Sequence, residues 1–538
     1  MRLNRILFAL VILLALLLRF WRLGDYPAFN ADEAAIGYNA YSLIETGKDE
    51  HGNPWPIHFQ SFNDYKPGLY FYLVAPFVKV LGLNEWAIRI PGAAFGVGTV
   101  IILYFLVKEL FKDQRLALAS SLFLAISPWH IHYSRGGWEV NVATFFITLG
   151  VWLFLKGLKN PKYFALSTLS LVLSLYTYHA ARVVVPLLII GLAVINRNTI
   201  RLNLKRFAIS GAIALILLLP LGLDLAKGEV RSRAAGVGLF ADPGPLSRIN
   251  EQRGEHKDFQ AITPKALHNK AVNYSLAFVQ NWTQHFWGEF LFSNGDSIQR
   301  NKVPETGQMY LLDTIFLIAG LIAIVKNSKG WSTMLLWLVL APTAAALTFQ
   351  SPHALRSQNM AIPLAMISAY GLISILDWLK SLKKLKTMGF LLVGVLILWG
   401  FIRYQHMYWI HMASQYPFSS QYGVKELVNY VKAEGEKYEK IIVTDRYDQP
   451  YILFAFYLKY SPEKFQKGHE LSARDKFGFS TVRAFDKYYF TAINYDMVQP
   501  ENPGSLIVGT DEEIPKEANI VKSIYGTNEY LYFEAVAN

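Results

Sequence analysis

The chain reads as a polytopic α-helical membrane protein that ends in a small soluble α/β domain, and three observations predict this. Hydrophobic residues make up 53% of its 538 residues and charged residues only 17%, more apolar surface than one soluble core can hide. Apolar runs long enough to cross about 30 Å of hydrocarbon recur along the first four hundred residues. Beyond residue 404 the pattern changes, with evenly spread charge and short strand-like runs.

The runs fall at 6–21, 88–106, 116–131, 140–158, 163–178, 180–195, 207–225, 310–325, 331–349, 360–379 and 388–402, about eleven helical spans. The first lacks a small-x-small cleavage site and runs into Phe20-Trp21, so it is expected to be a retained anchor. Lysine and arginine cluster in alternate loops, which places those loops in the cytoplasm. They comprise Arg2 and Arg5; Lys108, Lys112 and Arg115; Lys156, Lys159 and Lys162; Arg197, Arg201, Lys205 and Arg206; Lys326 and Lys329; and Lys380, Lys383, Lys384 and Lys386.

The segment 68–81 is apolar and aromatic but short, with Pro76 and Lys79 inside it. Counting it as a crossing would put every later basic cluster outside, so it is expected to lie along the outer surface as a juxtamembrane helix. The outer segments are then 22–87, 127–139, the turn at 178–182, a long loop at 226–309, 350–358, and the tail 405–538. A membrane region 1–404 and an extracytoplasmic α/β domain 405–538 follow, with the N-terminus cytoplasmic in an inner (plasma) membrane. In the tail, a helical 424–434 precedes the strand-like Ile441-Ile442-Val443-Thr444, with no glycine-rich phosphate loop after it.

The absence of cysteine removes disulfides, thiolate nucleophiles and sulfur-ligated metals. The net charge of +12 resides largely in the cytoplasmic loops, so it reflects membrane orientation and not nucleic-acid binding. Two tripeptides, Asn273-Tyr274-Ser275 and Asn281-Trp282-Thr283, match a glycan acceptor pattern that arises readily by chance.

Chemistry is expected on the outer face. Asp32 and Glu33 stand side by side in Asn30-Ala31-Asp32-Glu33, just after the first span. Helix capping by Asn30 and Glu33 accounts for both carboxylates without any catalytic role. Their place between an anchor and a juxtamembrane helix, followed by Asp49-Glu50-His51 and Asp64-Tyr65-Lys66-Pro67, points to a site. Arg135 and Glu139, Tyr178 and Arg182, and His353 and Arg356 occupy the other outer loops. Each cation is individually explained as a snorkelling side chain, yet several converging on one face beside carboxylates suit an anionic lipid headgroup.

A sugar carried on a lipid phosphate requires little more than this, because phosphate is already a competent leaving group and needs positive charge instead of a general acid. One carboxylate accepts the proton of the attacking hydroxyl, and direct displacement inverts the anomeric carbon. Neighbours on a helix point in different directions, so Asp32 is assigned the base role and Glu33 a positioning role.

The residues Ala31-Asp32-Glu33, Thr46-Gly47-Lys48-Asp49-Glu50-His51-Gly52, Lys66-Pro67-Gly68-Leu69 and Ala87-Ile88-Arg89-Ile90-Pro91 resemble the GT-C membrane glycosyltransferases of family 39. That family includes protein O-mannosyltransferases and aminoarabinose transferases. Tyr133-Ser134-Arg135, Tyr176-Thr177-Tyr178-His179-Ala180-Ala181-Arg182, His285-Phe286 and Phe290-Leu291-Phe292-Ser293-Asn294-Gly295-Asp296 extend the likeness over about 1–403.

The resemblance implies a GT-C fold, a polyprenyl-phosphate monosaccharide donor and inverting transfer to a protein, lipid or glycan acceptor. It makes Asp32 the base and Lys66, Arg135 and Arg356 candidates to hold the donor phosphate. Tyr65, Asp49, Glu139, Tyr178, Arg182 and His353 complete the expected substrate-binding set. No cofactor is expected; Asp32, Asp49, Glu50, His51 and His58 are the residues a divalent ion would use, but no spacing fixes a ligand set. The alternative reading is a polytopic lipid or saccharide transporter or flippase. That class places ionisable groups near the midplane within repeats, and neither feature is apparent here. A membrane-anchored sensor would need far fewer spans.

Overall fold

The computed structural model describes residues 2–62, 64–227, 236–382, 385–416, 421–473, 480–526 and 529–538. Lys383 and Lys384 of the last basic loop, and 228–235 of the long outer loop, lie outside the described residues. The chain forms two compact units. One comprises 1–18, 95–133 and 140–404; the other gathers 19–94, 134–139 and 405–538. Residues 19–94 and 134–139, expected within the membrane region 1–404, thus group with the tail 405–538.

The first unit is helical. Helices occur at each of the eleven expected positions, and among the described residues six are long and apolar enough to cross a membrane: Arg2–Phe20, Glu85–Phe111, Glu139–Gly157, Leu204–Ala226, Gln358–Ser381 and Lys386–Gln415. The chain is an integral membrane protein. Several others are shorter than their apolar runs, for a local reason. Gln114–Ile126 stops before Pro128, and Ser332–Leu340 is separated from Thr343–Ala346 at Pro342, because proline disfavours helix in the residue before it. The helices Asp313–Lys326 and Ala361–Ser381 pack so closely that a Cβ on Gly371 would lie 1.8 Å from the Phe316 carbonyl oxygen. Small residues at such crossings let backbones meet where lipid supplies no hydrophobic drive.

The second unit contains a seven-stranded mixed sheet. In chain order its strands are β3 (Ile441–Thr444), β4 (Glu470–Leu471), β5 (Val482–Phe485), β6 (Tyr488–Thr491), β7 (Leu506–Gly509), β8 (Ile520–Tyr525) and β9 (Leu531–Ala537), following a separate hairpin of β1 (His58–Ser61) and β2 (Asp64–Pro67). The order across the sheet is β4-β5-β6-β3-β7-β9-β8. Strand β3 runs parallel to both β6 and β7 and is buried along its whole length, which its unbroken Ile-Ile-Val run foretells. Ile442, Ile493, Ile507, Ile514 and Val536 form one face of the core. The expected helix is found at Val424–Glu434.

The tail also supplies the helix Pro450–Tyr457, buried along nearly its full length, which packs on the first-loop helix Ala31–Thr46. Small residues on Ala31–Thr46 make room for it: a Cβ on Gly37 would sit 2.6 Å from the Phe456 ring. Gly47, at φ 71°, ends the helix in the left-handed conformation that glycine adopts without strain. A helix is present in the segment 68–81 as Leu69–Leu81, 13 residues long. At about 1.5 Å per residue it is too short to span the bilayer.

Candidate functional site

Asp32 and Glu33 open the helix Ala31–Thr46, and their side chains diverge as adjacent helical positions must. Asn30 and Glu33 form the capping box: the Asn30 side chain accepts from the Glu33 N–H at 3.1 Å, and Glu33 reaches back to the Asn30 N–H at 3.4 Å. Gln421 of the tail adds a third fixture, accepting the Ala31 N–H at 2.5 Å while its own amide donates to the Asp448 carbonyl.

Glu33 is buried and occupied. Both oxygens meet the Arg89 guanidinium, Nε to Oε1 and Nη2 to Oε2 at 2.7 Å each, and Oε1 also accepts the Gly137 N–H at 2.8 Å. Arg89 spends its remaining donors on the carbonyls of Leu23, Pro27 and Ala28, at 2.9 to 3.1 Å. One buried ion pair thus pins the first-loop helix to the chain leaving the first span. The partner of Glu33, Arg89, stands in a quoted motif but was given no function.

Asp32 is differently placed. Its Oδ1 lies 2.5 Å from Lys66 Nζ, and its side chain keeps 24% of its surface while that of Lys66 keeps 8%. Lys66 sits on β2, which pairs in antiparallel register with β1, so that Lys66 stands opposite Phe59 and Tyr65 opposite Gln60. The ammonium also lies 4.8 Å from the centre of the Phe62 ring. A carboxylate and an ammonium, one of them partly open to solvent, are therefore brought together from residues 34 apart in sequence.

Asp49 organises the hairpin. Its carboxylate accepts the N–H groups of His51, Asn53 and Gln60 and the Asn53 amide, at 2.8 to 3.3 Å. Arg135, expected as a phosphate ligand, is enclosed instead. Its Nε donates to Tyr408 Oη at 3.0 Å, its Nη2 to the carbonyls of Trp21 and Tyr26 at 2.7 and 3.1 Å, and its guanidinium faces the Trp409 ring at 4.8 Å. With no exposed surface and its Nη2 turned to two carbonyls, it braces the loop after the first span. Glu139 is buried at the start of the helix Glu139–Gly157, where a carboxylate suits the helix dipole.

The other expected residues lie in the membrane-helix unit. Tyr178 is buried at the end of Tyr163–Thr177. Arg182 donates to the Leu175 carbonyl at 3.1 Å and meets His179 Nδ1 at 3.1 Å. Arg356 donates to Thr348 Oγ1 at 2.6 Å and to Gln350 Oε1 at 3.4 Å and remains partly exposed. The His353 N–H donates to His285 Nε2 at 3.1 Å, and its Nδ1 lies 3.6 Å from Asp296 Oδ2. Asp296 accepts the Ala354 and Ile298 N–H groups and the Asn301 amide. Asp296 and His285 stand in quoted motifs but were given no role. Their spacing from residue 353 hides the contact.

In a second polar cluster Glu50 and His51 were singled out in the sequence, whereas Tyr451 and His469 were not. Glu50 is fully buried, its Oε1 accepting from Tyr451 Oη at 3.3 Å and lying 3.6 Å from His51 Nε2. His51 Nδ1 meets His469 Nε2 at 3.1 Å, and His469 Nδ1 donates to the Phe465 carbonyl at 2.8 Å. Burial, then the neighbouring Asp49, pushes the Glu50 carboxyl up to about 8, and burial, then His469, pushes His51 down to about 3. Both groups are uncharged at neutral pH. Two members come from residues more than 400 positions away, which no local pattern announces. Among the described residues no group of three or more His, Asp or Glu side chains has the arrangement of a metal site.

Residues 65–223 match the family model described as dolichyl-phosphate-mannose-protein mannosyltransferase. A protein of Aquifex aeolicus strain VF5 with no assigned activity is 27% identical over 29% of this chain and 31% of its own length. The candidate mannosyltransferase YkcB of Bacillus subtilis strain 168 is 27% identical over 18% of this chain and 13% of its own. The matches thus span less than a third of these curated relatives. Among solved structures, ArnT from Cupriavidus metallidurans, bound to undecaprenyl phosphate, matches with a TM-score of 0.55 at 10% identity, over 98% of this chain and 97% of that one. At that identity the likeness is one of fold. In fold, and over 65–223 in sequence, the chain is similar to the GT-C glycosyltransferases of family 39, as its first-loop motifs indicated.

Proposed function

We propose that the protein is an inverting glycosyltransferase that moves a monosaccharide from a polyprenyl-phosphate carrier to an acceptor on the extracytoplasmic face. The observation that carries this reading is the Asp32–Lys66 pair at the N-terminus of the first-loop helix. The acceptor hydroxyl attacks the anomeric carbon, the bond from that carbon to the phosphate oxygen breaks, and the hydroxyl proton passes to Asp32. Polyprenyl phosphate leaves with the bonding electrons, its added charge met by Lys66.

The pairing suggests a hand-over. Lys66 contacts Asp32; a donor phosphate is the stronger partner for an ammonium, and drawing Lys66 toward it releases the carboxylate to accept a proton. Arg356 is proposed as a donor-phosphate ligand on the family resemblance alone. Glu33, Arg89 and Arg135 position the loop without touching substrate. The family match and the lipid carrier bound by the ArnT structure support this donor class.

The test is stereochemical. Membranes containing the protein are supplied with a polyprenyl-phosphate-linked mannose, and the anomeric configuration of the product is read by NMR. Inversion relative to the donor is expected; a product of retained configuration would rule out single displacement with Asp32 as base.

A further inference from the structure

A groove of about 730 Å³ runs along the membrane-helix unit, walled by the helices Arg2–Phe20, Gln114–Ile126, Ala361–Ser381 and Lys386–His406. Leu10, Leu14, Leu118, Leu122, Ile373 and Phe390 give it an apolar length. Polar groups stand at one end only: Asn4, Arg115, Asp377 and Lys380. This is the end at which the basic loops gather. An apolar trough closed by a polar rim is the shape of a single membrane amphiphile, and basic rims between membrane helices hold phospholipid headgroups.

The rim carries both signs of charge. Asp377 Oδ1 lies 3.3 Å from Arg115 Nη1 and 2.6 Å from Lys380 Nζ, and the three side chains are 45%, 61% and 50% exposed. Asn4 donates from Nδ2 to Gln114 Oε1 at 2.5 Å, which leaves its own carbonyl oxygen at the rim. Arg115 and Lys380 have N–H donors to spare for a phosphate, five and three respectively in the full side chains. The Asp377 carboxylate and the Asn4 oxygen suit a group that donates.

We infer that this groove is a binding site for a phospholipid whose headgroup joins a phosphate to a primary ammonium, as phosphatidylethanolamine does. Arg115 and Lys380 take the phosphate, Asp377 and Asn4 take the ammonium, and an acyl chain fills the apolar length. An anionic headgroup such as phosphatidylglycerol meets Asp377 with like charge. A quaternary ammonium such as choline has no N–H to give to Asp377. The inference does not depend on the transfer reaction proposed above.

The experiment is native mass spectrometry of the full chain, delipidated in detergent and titrated with phosphatidylethanolamine, phosphatidylglycerol or phosphatidylcholine of identical acyl composition. The unsubstituted protein is expected to bind phosphatidylethanolamine about fivefold more tightly than either competitor. Asp377→Asn removes that preference over phosphatidylglycerol, and Arg115→Gln with Lys380→Gln weakens all three lipids. These side chains are surface-exposed, and the lipid ranking of the unsubstituted protein decides the matter even if a variant misfolds. Equal binding of the three lipids, tightest binding of phosphatidylglycerol, or an unchanged ranking in Asp377→Asn overturns the assignment.

Discussion

Arg89 grips Glu33 through two parallel contacts of 2.7 Å, and neither side chain reaches solvent. Removing one partner of such a pair strands the other charge in a dry setting, at a cost of about 3–5 kcal/mol. Glu33→Ala and Arg89→Ala are each expected to lower the unfolding temperature sharply. The double variant should lose clearly less than the sum, because no lone charge remains. Thermal unfolding followed by tryptophan fluorescence checks this, and strictly additive losses would count against the clamp.

Glu50 gives stability a pH dependence of known sign. Its carboxyl is raised from 4.5 to about 8, so between those values the folded chain holds a proton that the unfolded chain releases. Stability attributable to Glu50 is therefore full below about pH 4.5, falls as pH rises, and levels off above about 8. Glu50→Gln cannot ionise and escapes this loss. The variant should gain on the parent as pH is raised from 5 to 8, by roughly 2–4 °C of unfolding temperature for each kcal/mol recovered. A gap that stays constant across that range would show that Glu50 is not a buried neutral acid.

The C-terminal tail is expected to support the helix that bears Asp32. Gly37→Val would drive a side chain into Phe456, 2.6 Å from the position of its first carbon. Overpacking of this kind costs about 1–3 kcal/mol. The unfolding temperature should fall and transfer activity with it, whereas a full-strength variant would separate the tail from the site's integrity.

Arg356→Ala is predicted to weaken donor binding more than acceptor binding, since it removes a charge-assisted contact to phosphate. Donor affinity measured on the purified variant should fall about tenfold. Unchanged donor affinity would remove Arg356 from the phosphate site.

The membrane class, the positions of the helices, Val424–Glu434 and the buried strand Ile441–Thr444 were legible because hydrophobic length and periodicity are local properties. The capping box at Asn30 and Glu33 was legible for the same reason. The shortened helices near Pro128 and Pro342 show where an apolar run overstates a helix, since hydropathy does not register a missing N–H. At the site, Asp32 and Lys66 were both singled out, but nothing in the spacing said that they touch. Arg89, Tyr408, Tyr451 and His469 were missed because their partners lie 56 to more than 400 residues away, where only tertiary packing brings them together. Arg135 shows a related limit: an arginine in an outer loop looks the same in sequence whether it meets a ligand or its own backbone.

The central claim is that Asp32 takes the acceptor's proton. Asp32→Asn keeps the size and removes the basicity, so donor binding and turnover should be measured side by side on that variant with a polyprenyl-phosphate sugar. Donor affinity equal to or tighter than the parent's, with transfer reduced on the order of 100-fold or more, is the predicted result. Transfer at the parental rate would contradict the account.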